Sequence, residues 1–233
     1  MAGFDIYNER SAGDEVTESL PATPGVQYLP SCGLKLVNGQ VALVTATDKM
    51  SHVYQTLETR PEVLRPATFD LASATLPQTA ITVPVQGRDV FLKSAISGTY
   101  APPILNLACN TNSTTTVVVA TFGGGAGDFT GGTIYSPDYD QHRRITGDAF
   151  GGGIHTFTLD APFTKGTSST TAVALTTGNT ITAVPVAAGS TGVKFKDSQG
   201  LDMSVAGKSG GNNKIEAVDL KNLFVISSCP YLS

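Results

Sequence analysis

Apolar and polar positions alternate along this chain in short runs, each closed by glycine, proline, asparagine or serine. The clearest run is Leu34-Lys35-Leu36-Val37, followed by Asn38-Gly39 and then Gln40-Val41-Ala42-Leu43-Val44. Asn-Gly is favoured in the two-residue type I′ turn, where both central residues take positive φ. Such a turn sets Leu36 against Val41 and Leu34 against Leu43, so Leu34, Leu36, Val41 and Leu43 share one face and one core. A longer stretch, Thr111 to Val186, repeats the grammar. Thr114 to Phe122 is β-branched almost throughout, Gly123 to Gly132 is glycine-rich, and Thr133-Ile134-Tyr135 and Gly151 to Leu159 read as further strands. Between those two lies Pro137 to Arg144, read as a charged loop. A last hairpin is expected from Thr171-Thr177 through Gly178-Asn179 to Ile181-Val184, with Val173, Leu175 and Val184 on one face.

Elsewhere the runs are shorter. His52 to Leu57, Ala80 to Val85 and Asp89 to Lys93 suggest strands, with Pro84 placing its strand at a sheet edge or bulge. Val193-Lys194-Phe195 and Met203-Ser204-Val205 suggest two more. Val218 to Asn222 reads as a helical turn and Leu223 to Ile226 as a buried terminal strand. Turn signals recur about every 8–12 residues and no long amphipathic helix is visible, so the expected fold is all-β, of the sandwich or barrel kind. Three parts are expected: an extended N-terminal arm (1–24), a small β-hairpin or barrel-like domain (25–98) and a larger β-sandwich or barrel-like domain (99–233). The boundary falls in the loop-rich Ser97 to Pro103. The arm carries Asp5, Glu9, Asp14, Glu15 and Glu18 against the single base Arg10, and Pro21 and Pro24 close it. It reads either as a frayed terminus or as an arm that orders on a partner. In the second case Phe4, Asp5, Ile6, Tyr7, Glu9 and Arg10 are the contact residues.

Composition narrows the function. Hydrophobic residues make up 40% of the chain but charged ones only 15%, against about 25% in ordinary domains. Hydroxyl-rich, weakly charged surfaces suit strands and close protein contact, where desolvating charge is costly. A net charge of −4 leaves no basic stripe for nucleic acid. Tryptophan is absent, which weakens sugar-binding readings. No apolar run approaches the ~20 residues of a membrane helix, and the first ten residues lack the pattern of a secretory signal, so cytosolic folding is expected. Cys32, Cys109 and Cys229 fit no zinc module; buried thiols are expected, with one bridge plus a free thiol as the alternative.

Candidate chemistry is sparse. Gly123-Gly124-Gly125-Ala126-Gly127-Asp128 lacks the Gly-Lys-Ser/Thr ending of a phosphate loop, and a strand comes after it, so a flexible or wide β-connection is expected. Asp138, Asp140 and His142 alternate as metal ligands on a strand would, but Pro137, Arg143 and Arg144 favour a solvated loop with local Asp–Arg pairs. His155 shares a strand face with Phe157 and Leu159 and reads as a structural histidine. Gly-x-Ser-x-Gly is absent. The expectation is a non-enzyme with no catalytic residue, metal or cofactor.

Three features resemble the head-decoration (cement) proteins of tailed bacteriophages. These are the irregular arm leading into the Leu34–Val44 hairpin; the series Gly131-Gly132-Thr133-Ile134-Tyr135, polar loop, Ile145-Thr146-Gly147 and Thr156 to Phe163; and the Thr- and Val-rich hairpin ending at Val184-Pro185-Val186. The resemblance is one of layout. It implies a homotrimer on the outside of an icosahedral shell in the virion, assembled in the bacterial cytoplasm. Its partner would be the major capsid protein, its task resistance to the pressure of packaged DNA, with neither membrane nor direct nucleic-acid contact. Two other classes stay open: another β-rich virion or surface part (tail, fibre base or adhesin), and an enzyme or sugar-binding module.

Overall fold

The computed structural model describes residues 4–6, 16–23, 26, 28, 32–45, 47–54, 82–87, 90–96, 104–110, 113–166, 168–198, 200–202 and 213–229. They are all-β: no helix occurs among them. The first strand, β1 (Phe4–Ile6), joins a sheet built mostly by the C-terminal part of the chain. The next five make a small sheet of their own: β2 (Val16–Pro21), β3 (Gly33–Val37), β4 (Gln40–Leu43), β5 (His52–Tyr54) and β6 (Thr82–Gly87). Their order is β2-β6-β5-β3-β4, and the sheet curls until its two ends meet. Ala22, just past β2, bridges Val41 on β4. The carbonyl of Val41 accepts the Thr23 amide at 3.1 Å and the Tyr28 hydroxyl at 2.7 Å. Tyr28, Cys32, Leu34 and Val41 fill this small core.

The Asn38-Gly39 turn is as expected, with φ of 50° and 78°, and the register pairs Leu34 with Leu43 and Leu36 with Val41. The shared core is not complete, however: Leu34 and Val41 are fully buried and Leu43 partly, but Leu36 is 48% exposed. On β3, β5 pairs with Gly33 and Leu34 alone among the described residues, so beyond them the hairpin tip runs clear of β5. Pro84 lies in β6 one residue past the last described β5 pair, Tyr54 with Val85. β6 is not an edge strand: it lies between β2 and β5, and Pro84 is paired with Ser19 of β2.

The larger barrel contains β8 (Ile104–Ala108), β9 (Val117–Thr121), β10 (Thr133–Ser136), β11 (Gln141–Gly151) and β12 (Ile154–Leu159). A two-stranded ribbon, β13 (Phe163–Thr164) with β14 (Ala172–Val173), precedes its sixth strand, β15 (Thr180–Val184). The order is β8-β15-β10-β11-β12-β9. Its edges also touch, through the bridge Cys109–Ala120 and the Asn110 amide on the Val119 carbonyl at 2.8 Å. Period-2 alternation turns Ile134, Phe157, Leu159, Ile181 and Ala183 inward. Full burial of the larger of these, Ile134, Phe157 and Ile181, contributes roughly 1.5–3 kcal/mol each.

A third sheet has the order β1-β7-β19-β18-β16-β17, from β7 (Val90–Ala95), β16 (Thr191–Asp197), β17 (Gly200–Asp202), β18 (Asn213–Asp219) and β19 (Phe224–Cys229). All four residues of β10 are buried because two cores flank it. Ile134 points into the barrel, whereas Tyr135 joins Val184, Val186, Phe195, Ile215 and Val225 in a central core. Val44, Met50 and Ile96 reach the same core from the N-terminal half.

These pairings change several expectations. The 98/99 boundary cuts through a sheet, since β7 pairs with β19 from Phe224–Ala95 to Cys229–Val90. The expected arm contains two strands, β1 on β7 and β2 on β6; their partners lie far off in sequence, so no local pattern announces them. The expected last hairpin does not form: β14 pairs with β13, and β15 pairs with β10 and β8. A tight turn does occur at Gly178, φ 103°, but its two arms belong to different sheets. Gln141 to Arg144 is strand rather than loop, and Val218 to Asn222 is the end of β18 and a turn into β19. Met203 to Val205 lies outside the described residues.

Candidate functional site

The most unusual polar feature is sealed inside the larger barrel. β11 and β12 form a hairpin turned by Gly152 and Gly153, at φ 60° and 78°. A bulge lies in β11 between Ile145 and Gly147, and its extra residue reverses the inward and outward parity of the rest of the strand. Asp148 is thereby carried to the inner face, opposite Phe157. There Asp148 Oδ1 lies 2.8 Å from His155 Nδ1, and both side chains are 0% exposed. The second oxygen accepts the Phe129 amide at 3.0 Å. With the carboxylate as acceptor, Nδ1 carries the ring proton.

Aromatic rings enclose the imidazole. Phe157 stacks at 5.5 Å, Phe129 meets it edge-on at 5.4 Å, and Phe150 lies 4.7 Å away. Nε2 is buried without a hydrogen-bond partner. The glycine run covers it: a Cβ on Gly124 would come within 2.7 Å of Nε2. Asp128 folds back to take the Gly125 amide at 2.6 Å. The run is therefore a tight cover, with glycine at 124 set by close approach to a side chain, rather than a wide connection. His155 lies on the buried core face, as expected, but with Nε2 unpartnered it is not fully satisfied, and the bulge hides its partner Asp148 from the sequence pattern.

The Asp138–His142 cluster disperses. Asp138 accepts the Thr180 amide and the Asn179 side chain, both at 3.1 Å. Asp140 takes Lys221 at 2.7 Å and the Tyr135 hydroxyl at 2.9 Å, and the Lys221 and Tyr135 hydrogen bonds hold its carboxyl below the ordinary range. His142 Nε2 accepts the Leu220 amide at 3.1 Å, and its ring lies 4.6 Å from that of Tyr135. Neither aspartate pairs with Arg143 or Arg144. Arg143 instead donates to the Pro162 carbonyl at 2.8 Å and to Gln141 Oε1 at 2.6 Å, with Phe163 beneath it. The expected Asp–Arg pairs fail because strand alternation sends Arg143 toward the barrel end. Among the described residues no three His, Cys, Asp or Glu side chains converge as a metal set. A shallow cleft of about 300 Å³ opens beside His142, lined also by Thr133, Arg144, Asp160, Ala187 and Val218.

No protein-family model, curated protein or solved structure matches this chain.

Of the expected contact residues, Phe4, Asp5 and Ile6 form β1, opposite Ser94, Lys93 and Leu92 at the edge of the third sheet. Tyr7, Glu9 and Arg10 lie outside the described residues. Cys32 and Cys109 are buried thiols. Burial, with the charge of Asp138 adding to it, pushes the Cys109 thiol up to about 11. Because the thiolate is the reacting species, Cys109 should resist alkylation at pH 7.5 in the folded protein and react on unfolding. Peptide mass analysis after brief labelling, with and without denaturant, checks this. Rapid modification in the native state would contradict the packing.

Proposed function

We propose that this chain is a decoration protein of a tailed-bacteriophage head, standing on the outside of the capsid shell. The observation that carries the reading is how the resembling segments assemble. Residues 131–135, 145–147 and 156–159, and the strand that ends at Val184, fall on β10, β11, β12 and β15 or at their ends. These strands are consecutive neighbours in one barrel. The second feature and the last strand of the third are thus contiguous in one barrel, while the Leu34–Val44 hairpin of the first lies on β3 and β4 of the small sheet. The sealed His155–Asp148 pair and the weakly charged, strand-built body suit a protein that bears load. On this reading the protein is a homotrimer, its partner is the major capsid protein, and it needs no catalytic group.

The test is to mix the purified protein with particles of the source phage assembled without it, then to sediment and image them. Saturable co-sedimentation, with added density on the outer shell at local three-fold positions, is the expected result. Protein left in the supernatant, or found only on tails, would reject the reading, and the second outcome would favour the tail or fibre-base alternative. Deleting residues 2–20 is not a clean probe of attachment. It removes β1 and most of β2, and with them one stave of the small barrel.

A further inference from the structure

We propose that His142 is a pH-sensitive latch that fastens the larger barrel to the turn between β18 and β19. That turn, residues 220–223, is a junction. Leu220 is buried in the central core, and the Leu223 carbonyl accepts the Ile96 amide at 2.8 Å, just past β7. Two links tie the turn to the start of β11. One is the ion pair of Lys221 with Asp140; the other is the Leu220 amide donating to His142 Nε2 at 3.1 Å. The ion pair is exposed on both sides, at 55% and 56%, and water and salt weaken such a pair. The histidine link is half-buried and directional, and it exists only while Nε2 has a lone pair.

A proton on Nε2 sets two donors face to face, so either the ring or the turn must move. The charged and titratable groups around the ring are Asp140 and the Tyr135 hydroxyl from the barrel, and Asp219 and Lys221 from the hairpin. Arg144 and Asp160 share the adjoining cleft. The two nearest carboxylates, Asp219 and Asp140, favour imidazolium. Burial opposes it and prevails, so the ring's proton affinity lies below that of a free histidine. The latch is therefore closed at neutral pH and at full strength above the ordinary value of 6.5. It weakens as pH falls from there through the lowered value of the folded protein.

The experiment is amide hydrogen exchange on the whole protein between pH 7.5 and 5, corrected for the intrinsic pH dependence of exchange. Protection of the Leu220 amide should fall about tenfold or more across this range. That of the Ile145 amide, which donates to Gly132 within the barrel, should stay constant. In His142→Gln the side-chain carbonyl accepts the same hydrogen bond without titrating, so protection should persist and its pH dependence should vanish. Unchanged Leu220 protection in the wild type, or an undiminished pH dependence in His142→Gln, would overturn the latch. Should His142→Gln fail to fold, titration of the His142 ring by NMR decides: coincidence of its midpoint with the loss of Leu220 protection supports the latch, and separation rejects it.

Discussion

Replacing Asp148 with alanine should lower the free energy of unfolding by about 3–5 kcal/mol, the range expected when one member of a fully buried polar pair is removed. The cost comes from what is left behind. Both Phe129 N–H and His155 Nδ1–H lose their acceptor in a space that water does not reach, and each orphaned donor forfeits about 1–3 kcal/mol. For a chain of this size the thermal midpoint should drop by roughly 10 °C. Asp148→Asn keeps one acceptor oxygen for two donors and should fall between wild type and alanine. Equilibrium denaturation of the three proteins measures the series. A loss under about 1 kcal/mol for Asp148→Ala would mean that water enters the pair and that the glycine cover is not closed.

The second large effect is expected at Gly132, for a reason unrelated to φ. A Cβ there would lie 2.2 Å from the Val184 carbonyl oxygen, 2.9 Å from the Phe129 oxygen and 2.9 Å from the Pro185 Cα. All three are backbone atoms, so no rotamer change relieves the clash. Separation of β10 from β15 is the relief available, and these strands form the wall between the barrel and the central core. Gly132→Ala should therefore cost about 3 kcal/mol or more, above the usual 1–3 kcal/mol of core overpacking. The informative control is Gly127→Ala. Gly127 has φ 82° but nothing within 4 Å of its Cβ position, so only backbone strain of about 1–2 kcal/mol applies. Denaturation midpoints that rank Gly127→Ala as the more damaging would contradict the β10–β15 contact.

How far the sequence speaks depends on whether a signal is local. The Asn38-Gly39 turn, the β-branched strand at Val117–Thr121 and the alternation of Ile154–Leu159 are legible because turn chemistry and side-chain period act within a few residues. Gly178-Asn179 shows the limit: the turn is real, yet turn chemistry does not say which strands its two arms will join. Ser97 to Pro103 reads as a domain boundary, but β7 ahead of it finds its partner in β19, and nothing near residue 95 encodes that. Asp148 is concealed because one extra residue in β11 reverses the alternation from which its orientation would be inferred. Leu36 carries the right pattern but stands where β5 has already ended.

Placing β7 between β1 and β19 has a consequence for how the protein is made. On the ribosome, Val90–Ala95 emerges well before Phe224–Cys229, on the order of a hundred residues earlier. At about 5–20 residues per second this is roughly ten seconds of waiting. Through that interval the one described strand already beside β7 is the three-residue β1, and the edge that β19 will take stays open. The small barrel can close early, since all its strands lie between residues 16 and 87. The third sheet cannot. Crowded polysomes translating this message therefore bring many such unfilled edges together, and yield in expression should depend on how quickly the C-terminal strands emerge after the rest.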